Sequence, residues 1–279
     1  EKFVAAVWDF VDETGDRILG QLKSIGASCD WERTRFTLDD DLAKAVREVF
    51  VTLYEKDLLY RGEYIINWCP RCLTALSNEE AEGEDTEGSL WHLRYPLSEG
   101  VAEVARGAAE AGADAIGRLD DGRWYLTVST TRPETMLGDM GVAVSPDDER
   151  YRGLVGSEVL LPLTGRTIPI VSDDFVDPEF GSGMVKVTPA HAPNDFDIAG
   201  RAGLPSLDVM TPDAYISDAA PNMFRGMDRF EARKAVLECL ASEGLLAGEE
   251  EHTHSVPHCY RSVSYTHPEP TRPRLISYA

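Results

Sequence analysis

The sequence predicts an α+β fold, with a pair of N-terminal helices followed by a β-rich domain carrying helices at its rim. Three patterns predict it. Apolar residues recur at helical spacing over residues 3–25 and again over 38–56. From Leu90 onward the pattern changes to short strand-like runs at 90–97, 123–129, 141–145, 167–172 and 183–188. Helical stretches at about 101–111, 194–202 and 229–243 lie between and after these runs.

In the first helix Phe3, Val4, Val7, Val11, Ile18, Leu19, Leu22 and Ile25 form the apolar stripe, and Gly26 ends it. Thr37 is the expected cap of the second helix, with Asp39 to Asp41 at its positive end. Leu42, Val46, Val49, Phe50 and Leu53 are its buried stripe. Residues 62–68 read as a strand running into Cys69-Pro70-Arg71-Cys72. Residues 77–89 are rich in acidic side chains and read as a solvated connector. A compact, mostly β domain is expected over 88–254, with 100–121 an alanine-rich surface helix and its loop, and 211–225 a loop. From Ser262 the apolar period is lost, and an extraneous or disordered tail is expected there.

With 279 residues, 43% of them hydrophobic and 27% charged, the chain can bury a sizeable core. No apolar run approaches the ~18 residues of a membrane span, and no signal-peptide core is visible, so the expectation is a cytoplasmic protein without membrane partners. Five cysteines are too few and too scattered for a disulfide scaffold. A net charge of −22 argues against broad capture of DNA or RNA, though one RNA end in a locally positive pocket remains compatible with it.

The chemistry concentrates in two stretches. In the first, Gly181 and Gly183 precede the run Met184-Val185-Lys186-Val187, which stops at Thr188-Pro189; a helix start follows at Pro193-Asn194-Asp195. Lys186 and Thr188 share parity and so project from one face of a strand. Asp195 falls in the first turn of the next helix, near its free N–H groups. An ammonium, a hydroxyl and a carboxylate would then converge at one strand-to-helix junction. The competing reading is an edge strand with a solvated lysine. In the second stretch, Thr130-Thr131-Arg132 carry a strand into a turn, and Pro133 with Glu134 suits a helical first turn. Hydroxyls, backbone N–H groups and one arginine make a cradle for ribose hydroxyls or a phosphate. His191, beside Pro189, and Glu134 have simple structural readings as well.

Together Thr130-Thr131-Arg132-Pro133-Glu134-Thr135, Pro146-Asp147-Asp148-Glu149-Arg150-Tyr151 and Gly183 through His191 with Asp195 resemble the editing domain inserted in the class I valyl-tRNA synthetases. The leucyl and isoleucyl enzymes share the threonine-rich loop and the aspartate in looser form. Met136-Leu137-Gly138-Asp139 and Lys186-Val187-Thr188-Pro189-Ala190-His191 are similar to the valyl branch. The resemblance implies an α/β chain: a partial Rossmann-type catalytic segment at 1–68, a C-x-x-C knuckle with acidic linker at 69–87, the editing domain at 88–254, and a half knuckle with tail at 255–279. Starting inside a helix without a cap, the sequence reads as an internal fragment.

The resemblance also implies a substrate, the 3′ end of tRNA(Val) carrying threonine by mistake. A hydrophobic pocket rejects an isostere that merely adds a hydroxyl by only ~10², the general figure for valine-specific pockets against threonine, so a second, hydrolytic site is needed. By residue-for-residue match Asp195 would hold the substrate ammonium. Arg132 with Thr130, Thr131 and Glu134 would hold the terminal adenosine, and Lys186, Thr188, Phe180, Val185 and His191 would line the pocket. Catalytic roles would fall to Asp195, Lys186 and Thr188, with no general base identifiable. Where the family commonly has aspartate after the histidine, this chain has Ala192.

For the metal, Cys69 and Cys72 are spaced as ligands, and the family's second C-x-x-C is matched by Cys259-Tyr260-Arg261-Ser262, with serine at the final position. The resemblance implies a structural zinc on Cys69, Cys72 and Cys259; serine is a poor zinc ligand, so the expected fourth ligand is His252, His254 or His258, and the alternative is a turn that binds nothing. The adenylation signatures H-I-G-H and K-M-S-K-S are absent, so ATP and Mg belong to the full-length parent enzyme and valine activation is not expected of this chain. Two other classes remain open: a free-standing deacylase acting in trans, and a non-enzymatic zinc- or RNA-binding module.

Overall fold

The computed structural model describes residues 1–62, 64–179, 181–270 and 274–277. The α-helices are α1 (Lys2–Ser24), α2 (Asp40–Glu55), α3 (Ala102–Glu110), α4 (Pro193–Ala202) and α5 (Arg229–Ser242). The strands are β1 (Leu59–Gly62), β2 (Ile65–Cys69), β3 (Thr74–Leu76), β4 (Ala81–Pro96), β5 (Ile116–Arg118), β6 (Trp124–Thr130), β7 (Gly141–Val144), β8 (Glu158–Leu161), β9 (Arg166–Ser172), β10 (Met184–Val187), β11 (Leu246–Cys259), β12 (His267–Pro270) and β13 (Arg274–Ser277). The helices and the five strand-like runs read from periodicity all form, four of the runs within a few residues of the expected ends and the run at 90–97 as the second half of a strand that starts at Ala81. The mixed α/β class is as expected.

The described residues divide into two compact units, 1–60 with 276–277 and the rest of 61–275. In the first, α1 and α2 bury no residue. Lys23 lies over the Trp31 ring and Trp8 meets Phe36 edge-on. Asp39, not Thr37, is the N-cap of α2; its side chain turns back to accept the Phe36 N–H at 3.0 Å. The burial expected of the apolar stripes is not found among the described residues: Phe3, Val4, Val7, Leu42, Val46, Val49 and Phe50 are exposed.

The second unit is built from two four-stranded sheets, ordered β10-β7-β9-β8 and β11-β4-β6-β5. A bridge between Leu97 and Val159 joins them. The strand β7 is buried along its whole length. Val142 and Val144 face the main core with Tyr95, Leu126 and Met136, while Ala143 faces a smaller cluster with Val187, Ile198 and Ala199 of β10 and α4. A strand covered on both faces reads as an unbroken apolar run, which is what Gly-Val-Ala-Val shows.

Two expectations are corrected. The acidic stretch is no irregular connector: from Ala81 it is the first half of β4, paired antiparallel with β11 from Ala81–Cys259 to Leu90–Glu250. It is solvated, but Thr253, His254, Ser255 and Val256 opposite supply strand-forming partners that local composition does not reveal. The stretch after Arg261 is no tail either, as far as it is described. Ser262 and Ser264 approach Cys69, Thr266 is fully buried and its N–H donates to the Pro257 carbonyl, and β12 pairs with β2. Side-chain–backbone and backbone pairing of this kind leaves no apolar period to read. Residues 271–273 and 278–279 lie outside the described residues.

The uncovered stripes of α1 and α2 predict self-association at micromolar concentration. Val46→Glu with Val49→Glu should shift the sedimentation coefficient towards a monomer without lowering the melting temperature of the second unit. A parent chain that sediments as a monomer with no dye-binding apolar surface would contradict this.

Candidate functional site

The site forms where β10 ends and α4 begins. Gly181 and Gly183 take φ of 58° and 73°, the left-handed region open to glycine. At Gly183 a side chain would also collide: a Cβ would sit 2.9 Å from an Arg150 guanidinium nitrogen and 3.0 Å from Asp148. This explains the Pro146–Tyr151 motif. Arg150 pairs with Asp148 at 2.6 Å and donates to the Pro178 carbonyl at 2.8 Å, and the Tyr151 hydroxyl donates to the Ser182 carbonyl at 2.7 Å. The motif clamps the loop that delivers β10. Phe180 lies outside the described residues.

Lys186 and Thr188 share a face as their parity requires, and the Lys186 ammonium donates to the Thr188 hydroxyl. That face points inward. Both reach Asp139, at 3.2 Å from Lys186 and 2.5 Å from Thr188, and the Tyr95 hydroxyl donates to the other Asp139 oxygen at 2.6 Å. Asp139 is fully buried, and burial pushes its carboxyl up against the pull of Lys186, Thr188 and Tyr95. The same burial raises the Tyr95 hydroxyl well above its ordinary value. Lys186 is thus neither solvated nor free in the pocket; it is one half of a buried ion pair. Asp139 is the partner that sequence reasoning left without a role. Its signal was a carboxylate beside an apolar turn, which has no partner until β10 is folded against β7.

Asp195 sits in the first turn of α4, nearly buried. One oxygen accepts the Thr188 N–H at 2.8 Å, closing the junction, and Oδ1 makes no hydrogen bond among the described residues. Burial raises its carboxyl above the ordinary range, opposed by Lys186 and by the Thr188 N–H. Arg132 donates to the His191 carbonyl at 2.7 Å, tying the threonine-rich loop to the same junction, while the Thr130 hydroxyl accepts the Arg132 N–H at 3.1 Å. Thr131 is half-buried, and Val185, of opposite parity to Lys186, is half-buried against the cluster of Ala143, Val187 and Ile198. Ala192 is the N-cap of α4 and supplies no capping hydrogen bond.

His191 and Glu134 are engaged in the frame. His191 Nε2 accepts the Val209 N–H at 3.2 Å. Both Glu134 oxygens are held by Arg233 of α5 at 2.7 Å, a buried bidentate pair lying against Trp91 and Phe230.

A second cluster lies at the base of the β4–β11 ribbon. The thiols of Cys69, Cys72 and Cys259 lie within 4.8 Å of one another. Ser262 and Ser264 each place a hydroxyl 3.3 Å from Cys69 Sγ. Burial opposes ionisation of Cys69, but hydrogen bonds from Ser262, Ser264 and the Cys72 N–H hold its thiol down at about 6. Three convergent thiols fit three corners of a tetrahedral zinc site. The histidines expected as a fourth ligand are not brought in among the described residues. His252 and His254 stack on each other along the ribbon, and His258 Nδ1 bonds to the Val256 carbonyl.

Asp208, 3.6 Å from His191 Nε2, is raised by burial to about 6, only partly countered by the Met210 N–H. Between its ordinary 3.8 and about 6, the folded chain holds a proton there that the unfolded chain has released. Stability from this group therefore falls as pH rises through that window. Asp208→Asn keeps the acceptor for Met210 and removes the charge. Its unfolding free energy should exceed the parent's at pH 8, by on the order of 1–2 kcal/mol, and match it at pH 4. The same offset at both pH values would contradict the assignment.

A sequence model of "tRNA synthetases class I (I, L, M and V)" matches residues 1–259. The chain is 50% identical over 268 residues to the valine–tRNA ligase of Carboxydothermus hydrogenoformans, covering 96% of this chain and 28% of that protein. It is 51% identical over 261 residues to that of Prochlorococcus marinus, covering 94% and 26%. It spans between a quarter and a third of these relatives. A solved structure described as "The crystal structure of GlLeuRS-CP1" aligns over 58% of this chain and all of its own, at 14% identity and a TM-score of 0.44. Among the described residues, no helix is long and apolar enough to cross a membrane. With a family match over 259 of its 279 residues, this chain belongs to the class I tRNA synthetases of the isoleucine, leucine, methionine and valine group.

Proposed function

We propose that this chain is part of a valine–tRNA ligase and carries its editing hydrolase, which removes threonine from mischarged tRNA(Val) in the cytoplasm. Valine ligation with ATP and Mg is assigned to the rest of the parent enzyme. One observation carries the reading: Asp195, a nearly buried carboxylate with one oxygen unclaimed, stands at the helix start beside the Lys186–Thr188 pair.

In this reading Asp195 Oδ1 receives the α-ammonium of the esterified amino acid. Oδ2 stays on the Thr188 N–H, so the carboxylate is oriented before substrate arrives. The Thr188 hydroxyl gives its proton to Asp139 and accepts from the Lys186 ammonium, and its remaining lone pair is the acceptor for the threonine hydroxyl. A valine side chain offers no such donor. Arg132, anchored on the His191 carbonyl, and the hydroxyls of Thr130 and Thr131 hold the terminal adenosine. Val185 bounds the pocket. Water attacks the ester carbonyl in a site that works by positioning. The thiol cluster holds a structural zinc in this reading. Its part is to pin the knuckle, and the hydrolytic residues act without it.

Asp195→Asn keeps an acceptor for Thr188 and loses the charge. Hydrolysis of threonyl-tRNA(Val) should fall by a factor equivalent to ~1.5–3 kcal/mol while the melting temperature holds. Unchanged hydrolysis would remove Asp195 from the site.

The parent chain should hydrolyse threonyl-tRNA(Val) much faster than valyl-tRNA(Val) and support no valine-dependent pyrophosphate exchange. Turnover should be slow, since a charge of −22 repels RNA. Equal rates on the two esters would overturn the sieve and direct attention to Ala192.

A further inference from the structure

The two halves of the thiol cluster are the same turn made twice. After Cys69-Pro70-Arg71-Cys72, the Leu73 N–H donates back to the Cys69 carbonyl at 2.8 Å and Leu73 takes φ 52°. After Cys259-Tyr260-Arg261-Ser262, the Val263 N–H donates back to the Cys259 carbonyl at 2.8 Å and Val263 takes φ 54°. A β-branched residue in the left-handed region is strained, and surrounding structure must hold it there. The holders are visible: the Cys259 N–H donates to the Ser264 carbonyl at 2.9 Å, and the Tyr260 N–H to the Glu80 carbonyl at 3.1 Å. Arg261 adds an ion pair to Glu80 at 3.1 Å. Ser262 therefore stands to Cys259 as Cys72 stands to Cys69.

From this equivalence we infer that Ser262 is the fourth metal ligand, through its hydroxyl oxygen, with Ser264 taking the hydroxyl proton. The Ser262 oxygen lies 3.3 Å from Cys69 Sγ, about the edge of a tetrahedron with one oxygen and one sulfur corner. A hydroxyl that gives a lone pair to a cation must direct its proton elsewhere, and Ser264 Oγ lies 2.6 Å away. The result is a three-thiolate, one-hydroxyl site for a divalent, thiophilic cation of the zinc class. A neutral hydroxyl is a poorer donor than a thiolate, so this site exchanges its ion more readily than four thiolates would.

The inference rests on the reading of the thiols as a metal site, and the test separates the two. Zinc affinity of the whole chain is measured by competition with a chromophoric chelator, and the Co²⁺ form is followed by visible absorption. Ser262→Ala should weaken zinc by about tenfold or more and change the Co²⁺ bands. Ser262→Cys should tighten zinc and move the spectrum to that of four thiolates, and Ser264→Ala should weaken it by a smaller factor. Unchanged affinity and spectrum in Ser262→Ala would overturn the ligand assignment alone. Failure of Ser262→Cys to tighten the site would do the same, since that corner would then be out of reach. No stoichiometric ion in the parent or in Ser262→Cys would overturn the metal reading itself.

Discussion

A single buried carboxylate organises the second unit. Asp139 has no exposure to water, and a lone charge there would cost several kcal/mol in lost hydration. It is tolerated because β4 sends in the Tyr95 hydroxyl while β10 sends in the Lys186 ammonium and the Thr188 hydroxyl. Arg166 of β9 closes the neighbouring turn by donating to the Leu137 and Asp139 carbonyls at 2.6 and 3.2 Å. The two sheets are thus locked in one register around a polar centre. Replacing a single member would leave the others buried without partners, which costs more than losing the pair as a whole.

The same constraint sets the position of the candidate site. With Lys186 and Thr188 drawn inward, the chain leaves β10 at a fixed point, and the Thr188 N–H meets Asp195 in the first turn of α4. The clamp of Asp148, Arg150 and Tyr151 fixes the other end of β10. The Glu134–Arg233 pair holds the threonine-rich loop to α5. Positioning of this kind depends on side chains already committed to the frame, which is why so many polar residues of the motifs are buried and hydrogen-bonded.

The knuckle belongs to this frame as well. Trp68 donates its indole N–H to the Pro212 carbonyl at 2.7 Å, and Tyr64 packs edge-on against Phe196 of α4. Arg229, at the start of α5, donates to the Tyr265 carbonyl at 3.1 Å and lies over the Tyr265 ring. The turn carrying Ser262 and Ser264 is therefore connected through two residues to the helix that holds Glu134.

What the sequence determined by itself is what depends on near neighbours. The periods of α1, α2, α4 and α5, the shared face of Lys186 and Thr188, the place of Asp195 in a first turn and the positive φ of Gly181 and Gly183 all follow from spacing and local sterics. What only the tertiary structure decided is which distant groups meet. Parity says that Lys186 and Thr188 point together, but not that they point inward to Asp139, 47 and 49 residues away. Composition marks 77–89 as solvated, yet pairing with β11 makes most of it a strand. Glu134 shows no sign of Arg233, 99 residues on, and Ser264 shows no sign of Cys69, 195 residues before it. A buried charge must find its counterpart wherever the fold puts one, and sequence separation carries no record of that distance.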